Sequence, residues 1–249
     1  KTGETAFELM HKELDKVWNE VHRILKVGGI ACINIGDATR SLNGKFQIYP
    51  NHTRIMNHCL GIGFHALPSI LWIKETNSPN KFMGSGTLPV GAYVTLEHEH
   101  ILLLRKNDKR DFKTKEEKLR RSQSAFFWEE RNVWFSDKWN GIRGVLQKLN
   151  GDKLRERSAA YPLELVYRLI NMFSLQKDVV LDPFLGTGTT TLAAMISWRN
   201  SIGVEIDKNF DDFIKTRINK VIPIVEEMNL ERLRNHLRFV LQHKKEFRY

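Results

Sequence analysis

The chain is poor in cysteine, and its two cysteines, Cys32 and Cys59, lie in apolar stretches without the spacing of metal ligands. Small secreted domains that lack a large core are rich in disulfides, so this class is excluded. The two residues are expected to be reduced core thiols of a cytoplasmic protein. No apolar run approaches bilayer length and no signal peptide is visible, so a soluble protein without a membrane partner is expected.

Acidic residues are outnumbered, because 39 Lys and Arg stand against 29 Asp and Glu, which gives a formal net charge of +10. Such an excess points to a polyanionic partner, although a basic surface alone would give the same totals. The 249 residues are enough for one large domain, or a domain with an insertion, around a sizeable core. The location of the charge therefore matters more than its sum.

One stretch has the pattern of a strand, a tight turn and a helix. Residues 179–181 are apolar and suit a short buried strand. Asp182-Pro183 ends this strand, since proline cannot donate to a sheet ladder. Gly186 and Gly188 then let the backbone turn sharply and leave room for a ligand against the main chain. The stretch therefore predicts a ligand-binding loop between a strand and a helix.

The residues after this loop indicate which ligand it takes. Thr189 or Thr190 is expected to cap the following helix, whose free N–H groups would face the ligand. A second strand, 201–206, carries Glu205 about twenty residues past the loop, where a Rossmann-type unit has a carboxylate for the ribose hydroxyls. Thr191 stands where a dinucleotide fingerprint has its third glycine, which disfavours a dehydrogenase. The pattern predicts a nucleoside cofactor.

The run Asp-Pro-Phe-x-Gly-x-Gly-Thr-Thr at residues 182–190 resembles the S-adenosylmethionine loop of DNA amino-methyltransferases, which methylate cytosine N4 or adenine N6. This resemblance implies S-adenosyl-L-methionine as the cofactor. It also implies a set of cofactor-binding residues: Asp182, Pro183, Phe184, Gly186, Gly188, Thr189 and Glu205.

The order of the motifs resembles the β class of these enzymes, in which the catalytic half precedes the cofactor loop. A helical pattern at 5–26 and a strand at 30–36 come first. The resemblance implies an α/β fold with a circularly permuted, Rossmann-like sheet and an inserted basic recognition lobe. We expect a single, mostly parallel sheet. The implied domains are a catalytic half at 1–104, a target-recognition insertion at 105–157, and a cofactor-binding half with C-terminal helices at 158–249.

The proposed insertion holds most of the excess charge. Residues 105–157 contain sixteen Lys and Arg against nine Asp and Glu, a net of +7, interleaved with aromatic residues. Basic charge holds phosphates and flat rings stack on bases, so this segment is expected to bind double-stranded DNA. The aromatic residues could equally form the small core of the insertion. The expected DNA contacts are Lys118, Arg120, Arg121 and, in the loop before the insertion, Lys81.

The catalytic residues are the missing part of the resemblance. The Ser/Asp-Pro-Pro-Tyr tetrapeptide of the family does not occur, and its place would be upstream of the helix at 5–26. We therefore expect it in a segment before Lys1, either attached or as a separate partner. The runs at 33–37 and 82–86 resemble the cytosine-N4 branch more than the adenine-N6 branch. This predicts a methyltransferase of a restriction-modification system, inactive without that segment.

A metal site is not expected, because His98 and His100 share one face of a strand but no third ligand converges with them in the sequence.

Two alternatives compete with the methyltransferase interpretation. A nucleotide-dependent enzyme of another class and a non-catalytic DNA-binding relative would each explain part of the pattern. Cofactor identity separates the first of these from a methyltransferase, and methyl transfer separates the second.

Overall fold

The structure is a computed structural model that describes residues 3–74, 83–142 and 161–243. Within these ranges the fold is mixed α/β, which confirms the predicted class. The helices are α1 (Glu4–Ile24), α2 (Asn51–Gly61), α3 (Lys115–Gln123), α4 (Trp128–Trp134), α5 (Leu163–Phe173), α6 (Thr189–Ile196), α7 (Asp211–Asn219) and α8 (Val221–Gln242). The strands are β1 (Ile30–Ile35), β2 (Ala38–Leu42), β3 (Lys45–Tyr49), β4 (Phe64–Ile73), β5 (Met83–Gly84), β6 (Ala92–Tyr93), β7 (His98–Lys106), β8 (Lys138–Trp139), β9 (Val179–Asp182) and β10 (Asn200–Gly203).

The chain forms two compact units. The first comprises Lys1–Asp111 and Asp137–Arg143, and the second comprises Phe112–Ser136 and Gly144–Tyr249. Helices α3 and α4 of the predicted insertion at 105–157 belong to the second unit. The residues of the insertion from 143 to 157 lie outside the described ranges, so the three-part division of the chain stays a prediction.

The first unit is built on a four-stranded sheet with the order β1-β7-β4-β8. Strand β7 lies between β1 and β4 and runs antiparallel to both, while β8 is parallel to β4. Strand β7 is buried along Ile101 to Leu104, and α1 and α2 contribute to the same core. That core contains the buried residues Trp18, Ile55, Cys59, Phe64, Leu102 and Leu104.

A hairpin of β2 and β3 follows β1 directly. Its turn residues Asn43 and Gly44 have φ values of 51° and 74°, and a two-residue Asn-Gly turn matches the twist of antiparallel strands. The Asn-Gly pair is a strong hairpin signal that the helix-and-strand periodicity alone did not reveal. The hairpin connects the end of β1 to the start of α2.

The second unit contains the parallel pair of β9 and β10, with helices α5 and α8 packed on α6. Its core is formed by Leu192, Ile196 and Val221. The prediction of one mostly parallel sheet is wrong for the described residues, because β1 and β9 lie in separate ladders and β7 runs antiparallel to its neighbours. An apolar run specifies a buried strand but not its direction or its partner.

No helix of the described residues is long and apolar enough to cross a membrane. Both cysteines are free thiols, as expected. Burial raises the pKa of each thiol to about 12, so both are neutral near pH 7.

Candidate cofactor-binding site

The turn after β9 is organised by Asp182. One carboxylate oxygen accepts the backbone N–H of Phe184 at 2.9 Å, which fixes the turn locally. The other oxygen accepts the hydroxyl of Tyr161 at 2.9 Å and the hydroxyl of Thr190 from the first turn of α6. Burial raises the pKa of Tyr161, so its hydroxyl keeps its proton at neutral pH. The segment before α5 therefore approaches this loop.

The loop needs glycine at both predicted positions for its backbone. Gly186 has a φ of 52° and Gly188 a φ of 80°, in the left-handed region that side chains disfavour. A Cβ on Gly188 would also lie 3.2 Å from Ile214 on α7. On the other side of the loop, Leu185 donates its N–H to Val204 at 2.9 Å. The loop is thus held closely between the residues after β10 and helix α7.

Glu205 lies directly beside this loop. One carboxylate oxygen accepts the N–H of Gly186 at 2.8 Å, and the other accepts the N–H of Asp207 at 2.8 Å. Each carboxylate oxygen can accept more than one hydrogen bond, so lone pairs remain for ribose hydroxyls. The predicted ribose carboxylate therefore also fixes the loop backbone, a contribution that the motif alone did not suggest.

Arg217 is a loop-holding residue that the motif did not identify. Its guanidinium donates to the carbonyl of Thr187 at 2.7 Å, and burial lowers its pKa. This contact satisfies a carbonyl that the tight turn leaves without a helical partner. In the sequence, Arg217 is the only arginine of α7 and looks like any exposed cation on a helix. No sequence pattern therefore identified its contact with the loop.

The expected threonine cap of α6 is wrong. The N-cap position is Gly188, with no side-chain cap bond, and α6 begins at Thr189. The hydroxyl of Thr190 bonds to Asp182 instead, while Thr189 is buried. Phe184 is 51% exposed in the turn. The backbone N–H groups at this end of α6 therefore have no threonine side chain capping them.

The predicted DNA contacts have different environments. Arg120 and Arg121 lie on α3, where the guanidinium of Arg120 is 3.5 Å from Asp178 and that of Arg121 lies over the ring of Phe112. Lys118 is exposed on the same helix. Lys81 lies outside the described residues. The structure thus brings three of the four side chains to one helix, and Arg120 also has an ion-pair partner.

Most described aromatic residues of the basic segment pack inside the protein. Trp134 and Trp139 are buried, and Phe126 contacts Trp134 with 6.3 Å between ring centroids. Phe127 stacks on His236 of α8 at 3.9 Å. Trp128 and Phe135 are the exceptions among the described residues, since they are 55% and 47% exposed. Of the two possibilities left open by the sequence, core packing accounts for the majority of these rings.

A second polar group of side chains lies at one end of the four-stranded sheet, where β1 ends and β7 begins. Asn34 donates its amide N–H to Glu99 at 2.6 Å, and Lys74 pairs with the same carboxylate. Asp37 and His52 form a hydrogen bond of 2.7 Å nearby. The pairing of β1 with β7 therefore brings Asn34 and Glu99 together.

Comparison with known proteins agrees with this geometry. The family model N6_N4_Mtase, described as DNA methylase, matches residues 1–216. The type II methyltransferase M.MthZI of Methanothermobacter thermautotrophicus is 55% identical over 238 residues, which are 96% of this chain and 67% of that protein. M.MjaI of Methanocaldococcus jannaschii is 51% identical over 212 residues, 85% of this chain and 68% of that protein.

The fold also has a solved counterpart. A putative DNA modification methylase from Thermus thermophilus, crystallised with S-adenosyl-L-methionine, superposes with a TM-score of 0.71 at 35% identity. The match covers 87% of this chain and 79% of the other. The chain therefore has the Rossmann-like fold of S-adenosylmethionine-dependent DNA methyltransferases.

Proposed function

Because the chain belongs to the N6_N4_Mtase family of DNA methylases, we propose that it methylates the exocyclic amine of a flipped base in double-stranded DNA, with cytosine N4 as the target. S-adenosyl-L-methionine is the cofactor. The observation that carries the proposal is the loop of Gly186 and Gly188, fixed by Glu205 beside an α6 N-terminus without a side-chain cap.

The residues of the loop fit such a cofactor. Its adenosine would lie against the glycine backbone, where a side chain would fill the space, with the ribose hydroxyls on the free lone pairs of Glu205. The exposed ring of Phe184 can cover the adenine, since a flat apolar ring stacks on any base. When bound, the sulfonium supplies an electrophilic methyl group that needs no metal to react.

The target amine must be oriented and deprotonated by other residues of the protein. Its lone pair is delocalised into the ring, so the protein must accept the amine protons and hold the nitrogen in line with the methyl group. We propose that a tetrapeptide upstream of Lys1 orients the amine. Strand β1 supports this proposal, because it ends the sheet among the described residues and its free edge could pair with a further strand.

The finer assignments rest on different observations. The motif at residues 33–37 supports cytosine N4 over adenine N6. The names of M.MthZI and M.MjaI, both type II methyltransferases, support the methylating half of a restriction-modification system. The net charge of +10 supports a DNA partner that is held by its phosphates.

Tritiated methyl incorporation into mixed-sequence duplex DNA, followed by nucleoside analysis, tests the proposal. The expected product is N4-methylcytosine, formed when the segment upstream of Lys1 is present and formed slowly or not at all without it. N6-methyladenine would overturn the target assignment, and rapid transfer by residues 1–249 alone would overturn the upstream assignment. Cofactor and DNA binding without methylation by the longer protein would indicate a non-catalytic relative.

A further inference from the structure

Three potential metal ligands converge at the end of the four-stranded sheet. Asp37 follows β1, His52 lies in the first turn of α2, and His100 lies on β7. One ligand atom from each residue lies within 4.8 Å of the other two. The three residues come from three different elements of the first unit, so their meeting is a product of the fold and not of a local turn.

Asp37 and His52 are already held in place. The Asp37 carboxylate, whose side chain is 6% exposed, accepts the backbone N–H of His52 at 3.1 Å and is 2.7 Å from the ring nitrogen Nδ1. The other ring nitrogen of His52 lies 3.0 Å from the hydroxyl of Thr53. A carboxylate and an imidazole fixed in this way need little reorganisation to bind a cation.

His100 completes the set. Its ring stacks on the ring of His52 with 3.8 Å between centroids and 12° between planes, and His98 approaches from the side at 5.0 Å. None of the described residues forms a hydrogen bond to the ring of His100 that would compete with a metal.

We propose that Asp37, His52 and His100 bind one divalent transition-metal ion, such as Zn²⁺, that links the end of β1 to α2 and β7. Two imidazoles and one carboxylate are ligands of intermediate hardness, and such a set suits Zn²⁺ and its first-row neighbours. A tetrahedral ion with bonds of about 2.0–2.1 Å holds two ligand atoms roughly 3.3 Å apart, so Asp37 and His52, which are 2.7 Å apart, must separate slightly to bind it.

Binding the ion requires two changes. The hydrogen bond between Asp37 and His52 breaks, and its proton leaves to solvent. The ring of His100 turns about its Cβ–Cγ bond, because the lone pairs of two stacked rings lie in parallel planes and cannot converge on one ion. The stack is a van der Waals contact that such a rotation can exchange for a metal bond. Water completes the coordination of the ion.

The proposed methyl transfer needs no metal. The pair His98 and His100 was visible in the sequence, but the convergent ligands Asp37 and His52 became visible only in the folded chain. The proposal therefore replaces the sequence-based expectation of no metal site with a site of stabilising function.

Metal titration of untagged protein, stripped with a chelator and dialysed, tests the site. Co²⁺ is added while visible absorption is recorded, and Zn²⁺ then competes for the same site; calorimetry gives the stoichiometry. We expect one ion per chain, ligand-field bands of histidine-bound Co²⁺, and a rise in the melting temperature with Zn²⁺. His100→Ala and Asp37→Asn should weaken Co²⁺ binding by at least about tenfold.

The control is His65→Ala, because His65 is exposed on β4 away from the ligand set. Circular dichroism and S-adenosylhomocysteine binding show whether each variant has folded, and His100→Ala is informative even if Asp37→Asn unfolds. Stripped protein that binds neither ion overturns the assignment. Co²⁺ affinity in His100→Ala equal to that of the wild type does so as well.

Discussion

Glu205 accepts the backbone N–H of Gly186 at 2.8 Å, so the acid that follows β10 holds the loop that follows β9. The same carboxylate reaches the N–H of Asp207 at 2.8 Å. In the proposed cofactor complex, Glu205 therefore acts in two ways, directly on the ribose and indirectly through the loop.

Glu205→Ala removes both parts. We expect S-adenosylhomocysteine binding to weaken by about 1–3 kcal/mol, because charge-assisted hydrogen bonds are lost. Glu205→Gln should weaken it less, since one oxygen can still accept the Gly186 N–H. Calorimetric titration measures both, with Glu227→Ala on the exposed side of α8 as the control. Unchanged affinity in Glu205→Ala would refute the ribose assignment.

Gly188 should not tolerate a side chain. Gly188→Val is expected to abolish cofactor binding, because its φ of 80° disfavours any Cβ and Ile214 lies 3.2 Å from that position. Gly188→Ala combined with Ile214→Ala relieves the crowding but not the backbone strain. Gly86→Ala is the control for strain alone, since its φ is 67° and nothing lies within 4 Å.

The measurement for this series is S-adenosylhomocysteine affinity together with the melting temperature. Partial recovery of affinity in the double variant relative to Gly188→Ala would show that crowding against α7 matters. If Gly188→Val binds as well as the wild type, the cofactor does not lie against this loop.

Tyr161→Phe removes a hydroxyl that bonds to both Asp182 and Thr190. We expect a loss of about 0.5–1.5 kcal/mol in the free energy of unfolding at neutral pH. The raised pKa of Tyr161 gives a stability contribution that is complete below about pH 10, the unfolded value, and is lost as the pH rises towards the folded value.

Urea denaturation at about pH 7 and above pH 10 tests this prediction. The wild type should lose more stability at high pH than Tyr161→Phe does, because the phenol of the variant is gone. Tyr93→Phe, at an exposed position, should behave as the wild type. Parallel losses in the wild type and Tyr161→Phe would contradict a buried, neutral phenol.

Replacing Lys118, Arg120 and Arg121 together by alanine should flatten the salt dependence of DNA binding. Each lost phosphate contact reduces the slope by about 0.9. We expect Lys118 and Arg121 to carry more of this effect than Arg120, because Arg120 lies 3.5 Å from Asp178. Fluorescence anisotropy over a range of salt concentrations measures the slope. Lys16→Ala with Arg23→Ala on α1 is the control, and an equal slope in the triple variant would exclude these contacts.

The two cysteines should be unreactive in the folded protein. Cys59 is fully buried, and burial raises the pKa of Cys59 and Cys32 to about 12. Few thiolates therefore exist at pH 8, and a thiol reagent should modify neither residue until denaturant is added. Ellman's reagent, counted before and after denaturation, measures this directly; rapid modification of the native protein would show that the first unit opens.

Much of the cofactor loop could be predicted because its determinants are local. Asp182, Gly186 and Gly188 act on the backbone within a few residues, and Glu205 lies only one helix and one strand further on. Interactions over such short distances along the chain can be predicted from consecutive residues. The prediction of a threonine cap on α6 was wrong, because the hydroxyl of Thr190 donates to the carboxylate of Asp182 instead.

The sequence by itself determined the α/β class, the family, the position of the loop and the basic character of the segment before it. The tertiary structure decided the direction of β7, the contact of Arg217 with Thr187, and the meeting of Asp37 and His52 with His100. Those contacts join residues that are distant along the chain, and their partners are selected by how the strands pair and the helices pack. Residue type and spacing specify local conformation, but such long-range choices depend on the burial of the whole core.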